Sequence, residues 1–145
     1  MQFPYNVLQH SLVVAEAITR PEERIYGFIH DWPGALLGGD IATPWKLYYA
    51  NKGVDVNAIE RRFMNLIYLR LNIPAPSRET AARVHEADQR VLATEFRDVV
   101  HGKTDHWTPP APTLNRTIKY EHWANTLERG HTMLDAYLWA RAEAA

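Results

Sequence analysis

The chain has 145 residues, the length of one compact domain, and 46% of them are apolar while 23% are charged. That balance is typical of a folded protein with a buried core and excludes an intrinsically disordered chain. The formal net charge of −1 leads us to expect neither polymeric nucleic acid nor an anionic membrane as a partner. The chain contains no cysteine, so a metal site would need His, Asp and Glu as ligands.

The sequence also carries no sign of a membrane or secretory segment. No apolar run approaches the roughly 18 residues of a membrane span. The first residues lack the basic flank and the apolar core of a secretory signal. We therefore expect a cytoplasmic protein.

Apolar residues recur at helical spacing along most of the chain. The predicted helices cover six segments, at about 6–20, 21–32, 43–49, 55–71, 77–100 and 118–142. The expected helix N-caps are Asn6, Asp55 and Ser77, whose side chains can accept a hydrogen bond from the first turn. Pro33 is expected to end the second helix. Loops are expected at 34–39 and 101–116. Because no strand-like alternation occurs, the sequence predicts an all-α single domain of about six helices.

Four polar residues interrupt the apolar faces of these helices. His10 lies on the apolar side of the first helix, His30 and Asp31 close the second, and Asp88 lies within the apolar stripe of the fifth. A buried ionised carboxylate needs a partner. A divalent metal would satisfy all four groups, and this ligand set suits Zn, Mn, Fe, Co or Ni better than Ca.

The spacing leaves a second interpretation open. A single histidine on an apolar face is often a hydrogen-bonded core residue, and Asp88 could pair with Arg83, Arg90 or an arginine of another helix. The four residues are far apart in the sequence, so they form no local metal-binding motif. Only tertiary packing can bring them together.

Four blocks of sequence carry a resemblance to a known family. They are Gln9-His10-Ser11, His30-Asp31, the segment 39–46 (GDIATPWK) and the segment 86–98 (EADQRVLATEFRD). In this order and at these intervals they resemble the HD-domain phosphohydrolases. The nearest branch is the nucleotidase-like one, which includes 5′-deoxynucleotidases and deoxynucleotide triphosphohydrolases of bacteriophages. The similarity spans roughly residues 5–100 and implies an HD-type helical bundle.

The resemblance also implies roles for individual residues. It implies that one divalent metal ion, of Mn, Co, Zn, Fe, Ni or Mg, is coordinated by His10, His30, Asp31 and Asp88. Asp40 matches a carboxylate that lies beside the sugar of the substrate, and Lys46 matches a cation near the same place. Trp32 and Trp45 flank the expected substrate site and could stack on a base, although core packing is the alternative for at least one of them.

The chain departs from the family pattern in two places. Relatives carry a glutamate three residues after the aspartate of HD, where it orients and deprotonates water, whereas this chain has Gly34 and no acid within 32–39. Asp40, Glu95 or a loop histidine, His101 or His106, would have to replace that base. Glu95 also belongs to a signature with Arg97 and Asp98 that we interpret mainly as an ion-pair network.

The second departure is the short segment before the first histidine. Only nine residues precede His10, whereas relatives have further residues that contact base and phosphate. A partner subunit, the proline-rich loop or the last helix would have to complete the substrate site. This favours a homo-oligomer.

The leading functional interpretation is a metal-dependent phosphohydrolase that acts on a small (deoxy)nucleotide. We expect weak activity because the usual catalytic glutamate is replaced by Gly34. One alternative is a catalytically silent metal-containing module that binds a nucleotide or a partner protein. Another is an HD-type enzyme of non-phosphoryl chemistry, and a helical bundle without a metal is the last.

Overall fold

The structure is a computed structural model that describes residues 5–39, 41–100 and 107–144. Within these ranges the chain is helical and contains no strand, which confirms the all-α prediction. The elements, in chain order, are α1 (Val7–Ala17), a 3₁₀ turn (Pro21–Glu23), α2 (Arg24–Ile29), α3 (Trp32–Leu36), α4 (Thr43–Ala50), α5 (Val56–Arg70), α6 (Arg78–Asp98) and α7 (Trp123–Ala144). The six predicted helices are all present, and α3 is an additional short one.

The N-caps predicted at Asn6, Asp55 and Ser77 are confirmed, but the cap that the pair Thr43-Pro44 predicts is wrong, because Thr43 is already the first residue of α4 and Ala42 holds the cap position. Each capping side chain accepts a hydrogen bond from the backbone N–H three residues later, which satisfies a donor that has no partner inside the helix. The pairs are Asn6 with Gln9, Asp55 with Ala58, and Ser77 with Thr80. Local sequence therefore sets the starts of α1, α5 and α6.

Three predicted boundaries are wrong. Pro33 does not end a helix but lies in the first turn of α3, where a proline needs no hydrogen-bond donor. The first helix ends at Ala17 rather than Arg20, because Ile18 is already extended. The last helix begins at Trp123 rather than Ile118, whose backbone N–H instead donates to Asp98 Oδ2 at 2.8 Å.

The chain contacts divide the molecule into two compact units. Unit 1 is Met1–Ile29 with Ser77–Ala145, and unit 2 is His30–Pro76. In unit 1 the helices α2, α6 and α7 all pack against α1. One cluster of buried side chains fills this unit and consists of Val13, Val14, Ile18, Val84, Ala87, Val91, Val99, Leu114 and Ile118. The single-domain assignment of the whole chain stays a prediction.

The close packing of α1 and α2 depends on one glycine. A Cβ atom at Gly27 would lie 3.2 Å from Ala15 Cα, and both Ala15 and Ile29 are fully buried. Backbone atoms cannot move aside as a flexible side chain can. Gly27 therefore allows α2 to run against α1 up to its last residue, Ile29.

The segment before α7 is fastened to α6 by hydrogen bonds, one buried at Leu114 and one exposed at Arg116. Leu114 N–H donates to Thr94 Oγ1 at 2.8 Å, and the Arg97 guanidinium donates to the carbonyl oxygen of Arg116 at 2.7 Å. These contacts satisfy backbone groups that an irregular segment leaves without partners. The described part of the predicted loop, 107–116, is thus held on unit 1, while 101–106 lie outside the described residues.

Unit 2 has shorter helices and fewer buried side chains. In it α3 and α4 both pack against α5, and the ion pair of Lys46 with Glu60, at 2.9 Å, joins α4 to α5. The buried residues of these three helices are Pro33, Val56 and Ile67. None of the residues of α4 is buried.

No helix in the described part of the chain is long and apolar enough to cross a membrane.

Candidate metal centre

His10 on α1 lies between two carboxylates of α6. Its Nε2 is 3.2 Å from Asp88 Oδ1, and its Nδ1 is 2.7 Å from Glu95 Oε1. Asp88 and Glu95 are seven residues apart, so they project from the same face of α6. The exposed fractions of the side chains are 13% for His10, 26% for Asp88 and 10% for Glu95. Unit 1 thus brings two of the predicted metal ligands together.

Tyr5 completes this arrangement by contacting the same oxygen of Glu95 that faces His10. Its hydroxyl donates to Glu95 Oε1 at 2.5 Å, so one oxygen of Glu95 faces both Tyr5 and His10. Burial and the neighbouring Glu95 carboxylate raise the pKa of Tyr5 far above its usual range. Tyr5 is therefore a neutral hydrogen-bond donor at physiological pH.

No sequence pattern indicates a role for Tyr5. It precedes the first helical segment, so hydrophobic periodicity places it on no face of a helix. The hydrogen bond that reveals it joins residues 90 positions apart in the chain.

The pair His30 and Asp31 forms the turn between α2 and α3. Their side chains contact each other, with His30 Nε2 at 3.2 Å from Asp31 Oδ1, and both residues are half-buried.

Each unit holds one His–Asp pair of the predicted ligand set, His10 with Asp88 in unit 1 and His30 with Asp31 in unit 2. Asp88 contacts the imidazole of His10. Two imidazoles and two carboxylates are donors that suit a divalent transition metal.

The His–Asp distance within each pair fits ligation of a metal ion. Ligands at about 2.0–2.1 Å from one ion, with angles between right and tetrahedral, lie roughly 2.9–3.4 Å from each other. Both His10 Nε2 to Asp88 Oδ1 and His30 Nε2 to Asp31 Oδ1 measure 3.2 Å. The donors of each pair therefore fit a bound metal ion in both chemistry and spacing.

The predicted substrate-binding residues are on unit 2 where the structure describes them. Lys46 is paired with Glu60. Trp45 is 59% exposed and meets the ring of Tyr48 edge-on at 5.9 Å between centroids. Trp32 is half-buried at the start of α3. Their roles toward a substrate stay predictions.

The predicted catalytic residues have different outcomes. Asp40, together with the loop histidines at 101 and 106, lies outside the described residues. The described contacts of Glu95 go to His10 and Tyr5, and its role as a base stays a prediction. Gly34 lies inside α3, where its carbonyl oxygen accepts hydrogen bonds from the N–H groups of the residues that follow.

The expected ion-pair network is present in part. Arg97 pairs with Asp98, at 2.7 Å, and both also fasten the segment before α7. In the described part of the chain Glu95 is not part of this pairing, because its carboxylate faces His10 instead.

No protein-family model matches the chain, and a search of the curated proteins finds no match. The features that bear on function are therefore the side chains of His10, His30, Asp31 and Asp88.

Proposed function

We propose that this protein is a metal-dependent phosphohydrolase of the HD-domain type that acts on a small nucleotide. The observation that carries the proposal is the contact of His10 with Asp88, together with that of His30 with Asp31, since each pairs an imidazole with a carboxylate. The order of the four residues in the sequence is that of the family that the chain resembles. Geometry and sequence pattern thus support the same assignment.

The four side chains would hold one divalent cation. Such an ion supplies Lewis-acid activation of water and neutralises charge on a phosphoryl group. Asp31 and Asp88 contribute two negative charges, which balance the charge of the ion in a partly buried site. His10 and His30 contribute neutral imidazole nitrogens, the commonest protein ligands for such metals.

Support for a nucleotide comes from the residues of α4 and from the resemblance. Trp45 offers an exposed aromatic face of the kind on which bases stack. Lys46 next to it is a cation suited to phosphate, and binding would require it to leave Glu60. These residue types fit a substrate that combines an aromatic base with phosphate.

The absence of an acid within 32–39 sets the expected rate. A positioned general base contributes typically 10²–10⁴-fold to a rate, and Gly34 cannot supply it. Turnover is therefore expected to be slow relative to an enzyme with a glutamate at that position.

The decisive experiment measures phosphate release from a panel of nucleotides, with Mn²⁺, Co²⁺ or Mg²⁺ added to the full chain. We expect turnover with at least one combination of nucleotide and metal ion. We expect Asp88→Asn to abolish this turnover, because the variant loses the negative charge of one ligand. Asp135→Asn is the matched control, since Asp135 is an exposed aspartate of α7. Wild-type protein that binds metal but releases no phosphate from any nucleotide would contradict the proposal.

A second candidate is favoured by one specific feature, the glycine at position 34. A chain that keeps the metal ligands but lacks the base is what a catalytically silent nucleotide-binding module would show. Tight nucleotide binding in equilibrium dialysis without turnover would support this candidate. Activity that appears only in Gly34→Glu would indicate that the chain descends from an enzyme and has lost its base.

A further inference from the structure

The imidazole of His10 faces a carboxylate through each of its two nitrogens. Glu95 Oε1 is 2.7 Å from Nδ1, and Asp88 Oδ1 is 3.2 Å from Nε2. A neutral imidazole carries one N–H, so it can donate to only one of the two carboxylates. The position of this proton decides which nitrogen of the His10 ring has a lone pair that can bind a metal ion.

Three observations place the proton on the side of Glu95. The distance to Glu95 is shorter by half an ångström, and the Glu95 side chain is less exposed than that of Asp88. Glu95 is also fixed in place by the hydroxyl of Tyr5. A short, buried hydrogen bond to a fixed carboxylate is stronger than a longer and more exposed one.

We propose that Glu95 and Tyr5 are positioning residues for the metal site. Glu95 accepts the Nδ1 proton of His10 and thereby leaves the Nε2 lone pair directed to the metal site, and Tyr5 holds the Glu95 oxygen in place. This rests on the proposed function in one respect, that His10 is a metal ligand. Histidines that bind metals commonly donate their other N–H to a carboxylate in this way.

In this positioning role Glu95 would not replace the missing base. Its Oε1 already accepts two hydrogen bonds, and the carboxylate lies on the opposite side of the His10 ring from Asp88. A general base must reach the proton that it removes. Glu95 acts on the metal site through His10.

The first test reads the tautomer of His10 in metal-free protein by long-range ¹H–¹⁵N correlation, at a pH where the spectrum itself shows a single proton on the ring. We expect the proton on Nδ1 in the wild type, which is the opposite of the tautomer that prevails for a free histidine side chain in water. Glu95→Ala should return the proton to Nε2. A wild-type proton on Nε2 would overturn the proposal.

The second test measures the dissociation constant for Zn²⁺ alone by competition with a chelator. We expect Glu95→Ala to weaken Zn²⁺ binding about 10–100-fold, the usual cost of losing such a carboxylate. Glu95→Gln should recover much of this, because its amide oxygen still accepts from Nδ1. Tyr5→Phe removes only a hydroxyl and should weaken binding by a smaller factor.

Tyr120→Phe is the matched control for Tyr5→Phe. Tyr120 packs edge-on against Tyr5, but its hydroxyl donates to the carbonyl oxygen of Val99 rather than to Glu95. We expect this variant to bind Zn²⁺ as the wild type does. Equal losses in Tyr5→Phe and Tyr120→Phe, or unchanged binding in folded Glu95→Ala, would overturn the positioning role.

Neither measurement uses phosphohydrolase activity. A protein with the expected tautomer and Zn²⁺ affinities, but without turnover on any nucleotide, keeps the positioning role and loses the proposed function. The reverse result, turnover with a His10 proton on Nε2, keeps the function and removes the role of Glu95.

Discussion

The two units are both built from helices, but they differ in how many side chains those helices bury. Among the residues described by the structure, eighteen apolar residues are buried, and only Val56, Ile67 and Ile73 of these belong to unit 2. The others line the contacts of α1, α2, α6 and the segment before α7. Unit 1 therefore has the packed core that holds a side chain such as His10 in one orientation.

Exposed large apolar side chains are more frequent in unit 2, relative to its length, than in unit 1. Of fifteen large apolar side chains that are exposed in the described part of the chain, eight belong to unit 2. They are Leu36, Trp45, Leu47, Tyr48, Tyr49, Val54, Leu66 and Leu69. Helices with similar apolar spacing can therefore differ in stability, because a helix is stabilised by the side chains that it buries and not by their periodicity.

The largest expected effect comes from making the same substitution in both units. Leu12→Ala, at a residue 1% exposed, should lower the free energy of unfolding by about 2–5 kcal/mol, since it leaves a cavity in unit 1. Leu69→Ala, at a residue 76% exposed, should change it by less than about 0.5 kcal/mol. Urea denaturation followed by circular dichroism measures both. Similar losses in the two variants would contradict the comparison.

The next effect tests the hydrogen bonds that fasten unit 1. Thr94→Val keeps the side-chain shape but leaves the buried Leu114 N–H without its acceptor, so we expect a loss of about 1–3 kcal/mol in the free energy of unfolding. Thr132→Val, on the exposed face of α7, is the control and should cost much less. The urea midpoints of unfolding measure the stability of both variants. Equal midpoints for Thr94→Val and Thr132→Val would show that the Leu114 contact adds no stability.

A smaller effect compares one helix cap in each unit. Ser77→Ala and Asp55→Ala each remove a side-chain acceptor for a backbone N–H, at Thr80 and Ala58 respectively, and each should cost about 1 kcal/mol of helix stability. Hydrogen exchange reports where the loss occurs. We expect α5 of unit 2 to lose its amide protection and α6 to keep most of its own. An equal loss of amide protection in α5 and α6 would contradict the view that unit 1 is stabilised more by burial than unit 2.

The smallest effect is a pH dependence within unit 1. Hydrogen bonds from Arg83, and also from Thr80, hold the pKa of Glu23 below its usual range. A lowered pKa in the folded protein stabilises it above the pKa of the unfolded chain, and this contribution is lost as the pH falls through the folded value. Wild-type stability should therefore fall more on acidification than that of Glu23→Gln. Glu128→Gln, at an exposed glutamate of α7, should follow the wild type. Parallel acid profiles for the wild type and Glu23→Gln would rule out this contribution.

Much of the helical layout could be predicted from the sequence, because it depends on local interactions. Asn6, Asp55 and Ser77 cap their helices as expected, since a cap needs only a side chain and a backbone N–H three residues away. Pro33 was misassigned because a proline both ends one helix and suits the first turn of the next, and the sequence does not distinguish these roles.

The candidate site could be predicted only in part. Polar residues on apolar faces pointed to His10 and Asp88, which the structure brings into contact. The signature that Glu95 shares with Arg97 and Asp98 predicted an ion-pair network, whereas the Glu95 carboxylate faces His10. The network expected around Arg97 includes Asp98 but extends to backbone carbonyl oxygens that no sequence pattern indicates.

The sequence by itself determined which segments are helical, which of their faces are apolar and which polar groups need a partner. Those properties follow from spacing along one chain segment. Only the tertiary structure decided that Tyr5 and Glu95 meet at His10, and that the helices of unit 2 remain largely exposed. These outcomes depend on packing between residues far apart in the chain, and local periodicity carries no information about which distant surfaces meet.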